Sequence, residues 1–237
     1  MGSATILSLL ALGLWLAGFI VLGRLLGRRS AAVAPADAPD PAVAGSVSII
    51  IPARNEERNL PTLLRSLTSQ SVRPREIVVV DDDSTDRTAE IARQFGATVV
   101  SSQPLPDGWR GKTWACWQGA RVASGDLLLF VDADTWFEPD GLLRILNGRA
   151  DGVLSVGPYH AVRRPYEQLS AFFNLLMTAG TGAFRLSGGE PNGLFGQMLL
   201  VARGDYGRVQ GHEAVKGRIL ENFYLAERFR KHGIHLR

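Results

Sequence analysis

The 237 residues carry a formal net charge of +3, and the basic and acidic side chains are interspersed, so a nucleic-acid-binding basic patch is not expected. At 46% hydrophobic the chain can bury the core of one large domain or two small ones, which excludes a disordered or fibrous protein. A single cysteine, Cys116, excludes an internal disulfide or a multi-cysteine zinc site and reads as a small buried hydrophobe.

Residues 4–22 (ATILSLLALGLWLAGFIVL) form an uncharged apolar run close to the roughly 20 residues that a bilayer-spanning helix needs. Arg24, Arg28 and Arg29 follow the run instead of preceding it, which predicts a retained anchor with the rest of the chain on the cytoplasmic side of the cell membrane. Residues 23–45 then read as a basic juxtamembrane segment and a Pro/Ala linker.

After the linker the pattern alternates. Strands are expected at 46–51 (SVSIII), 76–80 (EIVVV), 97–100 (ATVV) and 126–131 (DLLLFV), and helices at 56–69, 85–95, 112–123 and 139–146. Leu60, Leu63, Leu64 and Leu67 mark the buried stripe of the first helix, and Ser84 or Thr85 is the expected cap of the second. Beyond residue 150, GVLSVGP and GQMLLVA read as strands around an amphipathic or buried helix with aromatic content at 166–184, and IHLR as the start of another strand. Alternating strands and helices predict a largely parallel sheet covered on both faces, with ligands at the carboxyl ends of its strands. The loops at 52–56, 81–84 and 132–134 then share one rim.

Three features at that rim can carry chemistry. Asp132 and Asp134, in FVDADTW, offer two hard oxygen ligands suited to Mg²⁺ or Mn²⁺ completed by water and phosphate, although such a pair at a strand end also occurs as a plain solvated turn. Lys112 opens a helix in GKTWACWQGA, where the helix dipole disfavours a lysine unless an anion is bound nearby. Asp81, Asp82 and Asp83 crowd the end of the second strand, in VVVDDDSTDRT.

In order and spacing, SIIIPARNEERNL, VVVDDDSTDRT, GKTWACWQGA and FVDADTWFEPDGL together resemble the inverting nucleotide-sugar glycosyltransferases of family two, which have the GT-A fold. The resemblance implies an α/β, mostly parallel mixed sheet, with a nucleotide-sugar half at 46–147 and an acceptor half at 148–237. It implies that Pro52, Ala53 and Glu56 line the nucleoside pocket and that Asp82 contacts the base or ribose. It further implies that Lys112 approaches the diphosphate and that Asp132 and Asp134 form a metal-binding DxD element, Asp134 the more direct ligand. The implied donor is a UDP-sugar. The family's general base is usually the aspartate of a Glu-Asp pair opening a late helix; here the pair is Glu221-Asn222, and an asparagine amide accepts no proton at neutral pH. Glu221 is the favoured replacement, with His212 or Glu213, on the acceptor side, as alternatives. The Gln-x-x-Arg-Trp element of the family's processive polysaccharide synthases does not occur, which suggests a piece of a longer protein or a shortened member.

Residues 157–184 together with HEAVKGRILEN resemble members that glycosylate carotenoids and related lipids, so the implied acceptor is a hydroxyl or carboxyl of a lipid or polyisoprenoid at the membrane. Two other readings stay open at this point: a non-catalytic nucleotide-sugar or lipid-binding module, suggested by Asn222, and a transferase for polysaccharide or protein-linked glycans. A nucleotidyltransferase would need a glycine-rich activating loop before its first helix, and none is found.

Overall fold

Strand β1 (Val47–Ala53), β2 (Glu76–Asp81) and β4 (Leu127–Val131) are nearly continuous apolar runs, because both faces of each strand are covered. Successive side chains alternate between two cores. Ile49, Ile51, Val79, Leu129 and Val131 point to one face and pack on α1 (Leu60–Thr68), α2 (Thr88–Gln94) and α4 (Gly141–Asn147). Ile50, Leu128 and Phe130 point to the other, against α3 (Gly111–Val122) and α6 (Glu221–Lys231). This computed structural model describes residues 45–149, 151–157 and 190–237, with shorter pieces at 5, 8, 11–18, 20, 161, 178 and 180–182.

With β3 (Thr98–Ser101), β5 (Leu154–Ser155) and β6 (Met198–Ala202), the strands form one sheet in the order β3-β2-β1-β4-β6-β5. The four strands from β3 to β4 run parallel, whereas β6 is antiparallel to both β4 and β5. The sheet is the mostly parallel, mixed one expected, although side-chain pattern alone does not encode which buried strand runs antiparallel. The chain steps outward from β1 to β2 and β3 and then returns to the other side of β1 for β4. This order reversal opens a crevice beyond the carboxyl ends of β1 and β4. Past β6 come α5 (Arg203–Arg208) and a 3-10 turn (Gly211–Val215). Arg203 ties this half to the other: its guanidinium donates to the carbonyls of Ala120, Ala123 and Gly125 at the end of α3.

Boundaries moved where local chemistry competes with the helix. Residues 56–59 form a turn, in which the Glu56 carbonyl accepts from both Asn59 and Leu60, so α1 starts four residues later than expected. Neither Ser84 nor Thr85 caps α2. Ser84 Oγ instead accepts from the backbone N–H of Asn55 at 3.0 Å, Thr85 donates its N–H to Asn55 Oδ1, and Asp86 accepts from the N–H groups of Thr88 and Glu57. These bonds stitch the loop after β1 to the loop after β2, and they hold the Asp86 carboxyl below its ordinary range despite the opposing effect of burial.

Residues 11–18 are helical and exposed. Among the described residues no helix is long and apolar enough to cross a membrane, and positions 4, 6, 7, 9, 10, 19, 21 and 22 of the expected anchor lie outside them. The amphipathic or buried helix expected at 166–184 lies outside the described residues, apart from positions 178 and 180–182. IHLR does run beside the sheet, bridging in parallel to β5's neighbour Val153 through Leu236.

Candidate active site

The end of β4 and the start of α3 meet at the crevice. Lys112 Nζ lies 2.6 Å from Asp132 Oδ1 and 3.4 Å from the carbonyl oxygen of Gly196, which it can reach as a donor. Burial would lower the Lys112 pKa, but the Asp132 carboxylate outweighs it and keeps the ammonium charged. Burial raises Asp132, with Lys112 opposing and the neighbouring Asp134 charge adding to the rise. Beneath them Cys116 is fully enclosed, and burial pushes its thiol up to about 12, so it is a neutral packing group.

A small pocket here is walled by Pro52, Lys112, Asp132, Gly196, His212, Glu221 and Asn222, with Phe130 and Leu199 at its base. Four sequence-expected features therefore converge: the end of β1, the α3 lysine, the first DxD aspartate and the Glu-Asn pair that opens α6. Asp134 is exposed beside them, two residues along the same turn, which is closed by Thr135 donating to the Asp132 carbonyl. Ala53 and Asp82 sit next door, the Asp82 N–H donating to the Ala53 carbonyl at 2.8 Å. The Asp82 carboxylate lies 3.9 Å from Arg54 and close against Gly111, where any side chain would collide with it. Glu56 is partly buried in the β1 loop and accepts from the Asn59 amide. Asp83 adopts a left-handed backbone and is exposed, and Asp81 accepts from the Ser84 N–H, so the three crowded aspartates face different partners.

Two acceptor-side candidates part company. Glu213 is exposed and is not part of the pocket wall. His212 reaches the wall but is buried, with its Nδ1 2.8 Å from Tyr206 Oη and its ring edge-on to Phe130. Burial, helped by the Lys112 charge, lowers its pKa to about 3, so the imidazole stays neutral and is a poor proton acceptor near pH 7. This predicts a stability signature. The unfolded His212 binds a proton below about pH 6.5 while the folded one does not. Unfolding free energy should then fall on the order of 1 kcal/mol per pH unit as pH drops from 6.5 toward 3. Denaturant titrations across that range should lose part of this slope in His212→Asn.

Gly196 carries no chemistry of its own and is not singled out by the sequence pattern. A Cβ there would collide with Asn222 Nδ2, so a side chain at 196 would have to push the Asn222 amide aside. The same amide nitrogen donates to Glu221 Oε1 at 2.9 Å. Gly196→Ala should therefore turn the Asn222 amide away from Glu221 and lower turnover about tenfold, with the melting temperature little changed, because the obstructing atom is the end of a movable side chain.

The two DxD carboxyls fit a divalent cation. They lie close enough for the Asp134 charge to raise Asp132, a repulsion that a cation would relieve. The described residues contain no cluster of three or more His, Cys, Asp or Glu, so water and phosphate oxygens would complete the shell, as suits Mg²⁺ or Mn²⁺.

This sheet order is that of the GT-A fold. Residues 48–176 match the family described as Glycosyl transferase family 2, and the chain belongs to that family. It is 43% identical over 195 residues to the 4,4'-diaponeurosporenoate glycosyltransferase of Staphylococcus haemolyticus (strain JCSC1435), covering 78% of this chain and 52% of that protein. The protein of the same name from Staphylococcus aureus (strain USA300) is 41% identical over 192 residues, covering 78% and 51%. The chain thus spans about half the length of the curated relatives it matches. Among solved structures it is similar to the mannosyltransferase PcManGT from Pyrobaculum calidifontis in complex with GDP-Man and Mn²⁺, with TM-score 0.62, 25% identity, and coverage of 96% of this chain and 64% of that one. The fold also matches glucosyl-3-phosphoglycerate synthase from Mycobacterium tuberculosis with Mn²⁺, UDP and glucosyl-3-phosphoglycerate, at TM-score 0.55 and 22% identity over 82% and 70% of the two chains.

Proposed function

We propose that this chain transfers a hexose from a UDP-sugar, with inversion, to the carboxylate of an apolar, carotenoid-like acid, from the cytoplasmic side of a membrane to which residues 4–22 anchor it. The observation that carries this reading is the amide at the family's base position, with Asn222 Nδ2 donating to Glu221 Oε1 inside the pocket. An acceptor that is already ionised has no proton to lose, so it needs no base. An aspartate at 222 would repel it, whereas an asparagine amide can donate to it. The curated relatives support this choice, since the compound in their printed name is itself a carboxylate.

In this mechanism an acceptor carboxylate oxygen attacks the anomeric carbon, and the bond from that carbon to the diphosphate oxygen breaks with its electron pair leaving on UDP. No proton moves. Lys112 stabilises the charge growing on the diphosphate, and Asp132, at 2.6 Å, fixes the ammonium in place. Asp132 and Asp134 would hold a divalent cation, which would supply charge neutralisation to the same leaving group. Asp82, with Pro52, Ala53 and Glu56, frames the nucleoside side. Glu221, expected from the sequence as the base, here orients the Asn222 amide.

A second reading keeps Glu221 as the base toward a hydroxyl acceptor, favoured by its place in the pocket wall. Transfer assays with a polyene acid and the matching polyene alcohol separate the two. The carboxylate reading expects turnover of the acid to survive Glu221→Gln within about tenfold, whereas loss of a base typically costs about 10²–10⁴-fold. A wild-type protein that binds UDP-sugar yet glycosylates neither compound would be a binding module.

A further inference from the structure

An apolar patch ringed by cations adjoins the pocket mouth and has no role in the chemistry above. Ile219 is 75% exposed and Leu220 56%, immediately before Glu221, and Leu105 is 54% exposed on the loop that leads into α3. Those two loops touch. Arg110 Nε donates to the Gly217 carbonyl at 3.3 Å, Thr113 Oγ1 donates to the Lys216 carbonyl at 3.1 Å, and the Lys216 ammonium lies 6.0 Å from the Trp109 ring centroid. Trp109 packs against Trp114 and Trp117, and Arg121 sits over Trp117 at 4.7 Å. Arg218 lies 4.4 Å from the half-exposed ring of Tyr224. In the segments LPDGWR and KGRIL, Asp107 is the sole acid beside Arg110, Lys216 and Arg218.

Solvent-facing isoleucine and leucine flanked by tryptophan, arginine and lysine match the two layers of a bilayer surface: acyl chains for the apolar tips, anionic headgroups for the cations, and the boundary between them for the aromatic ring. We propose that residues 216–220, with Leu105 and Trp109, dock on an anionic lipid surface and so seat the pocket mouth against the bilayer. The consequence follows from connectivity. Leu220 leads directly into Glu221, and Trp109 lies three residues before Lys112, so both walls of the pocket are held at the depth where an apolar acceptor resides. The inference deepens the proposed acceptor chemistry and rests on it for its purpose, while the docking itself is measured separately.

The full chain tests it, because Cys116 is buried with a neutral thiol and leaves an introduced cysteine as the site of labelling. An environment-sensitive fluorophore on Ile219→Cys should brighten severalfold with vesicles containing phosphatidylglycerol, be quenched by spin-labelled acyl chains, and respond far less to pure phosphatidylcholine. The same label on Glu90→Cys, exposed on α2, should stay in water even though the N-terminal run tethers both proteins. Ile219→Asp with Leu220→Asp should keep hydrolysis of soluble UDP-sugar and lower transfer to a vesicle-embedded acid at least tenfold. Insertion without any glycosyl transfer would uphold the docking and sink the proposed function. A label at 219 as hydrated as the one at 90 on every vesicle composition would overturn the docking and assign the patch to a protein partner.

Discussion

Asn222→Asp is expected to lower transfer to a carboxylate acceptor by about 10–100-fold, the range for losing a hydrogen bond to a charged group, while UDP-sugar affinity stays near that of the wild type. The substitution preserves shape, so the effect reads charge. An aspartate at 222 cannot donate to Glu221 and would place a second carboxylate beside it in the same pocket wall. The variant should also gain on the corresponding alcohol, since it restores the family's proton acceptor. Steady-state rates with paired acid and alcohol acceptors, and calorimetric titration of UDP-sugar, are the measurements. Equal losses on both acceptors would mean that residue 222 acts by packing and not by reading acceptor charge.

Lys112→Ala should cost about 10²–10³-fold in turnover, the usual loss on removing a group that stabilises charge in the transition state. Its ammonium lies 2.6 Å from Asp132 and faces the pocket from the start of α3, where the helix dipole already favours an anion. The loss should fall mainly on kcat. Removing the lysine also leaves Asp132, raised by burial and by Asp134, without its opposing charge. Lys112→Met, which keeps the stem, should lose as much activity as Lys112→Ala and fold more stably. A variant whose KM alone changed would show that Lys112 merely gathers substrate.

Much of this arrangement was legible in the sequence because it depends on one-dimensional signals. The apolar runs of β1, β2 and β4 and the Leu60, Leu63, Leu64, Leu67 stripe were read to within a few residues. Lys112 drew notice through a mismatch with its helix dipole, and Asp132 through its place at a strand end; the structure puts the two in contact. The rest is three-dimensional. The direction of β6 depends on which side of β4 it enters, and no residue type records that. Gly196 matters only because its missing side chain leaves the Asn222 amide, far along the chain, in place beside Glu221. His212 and Glu213 are neighbours in sequence, yet one is sealed under Phe130 and the other faces water, since a 3-10 turn sends them to opposite sides.

The strip formed by residues 234–237 has a consequence for solubility. Val153 donates to His235, Arg237 donates to Val153, and Ser155 donates to Arg237, all at 2.8–2.9 Å, while Ile234 and Leu236 are buried. Without that strip the outer rim of β5 would offer open N–H and C=O groups to any passing strand, the ordinary seed of intermolecular β pairing. Four residues thus act as a selvedge: Arg237→Pro, which removes the N–H that Val153 accepts, should leave the pocket's residues in place and promote self-association.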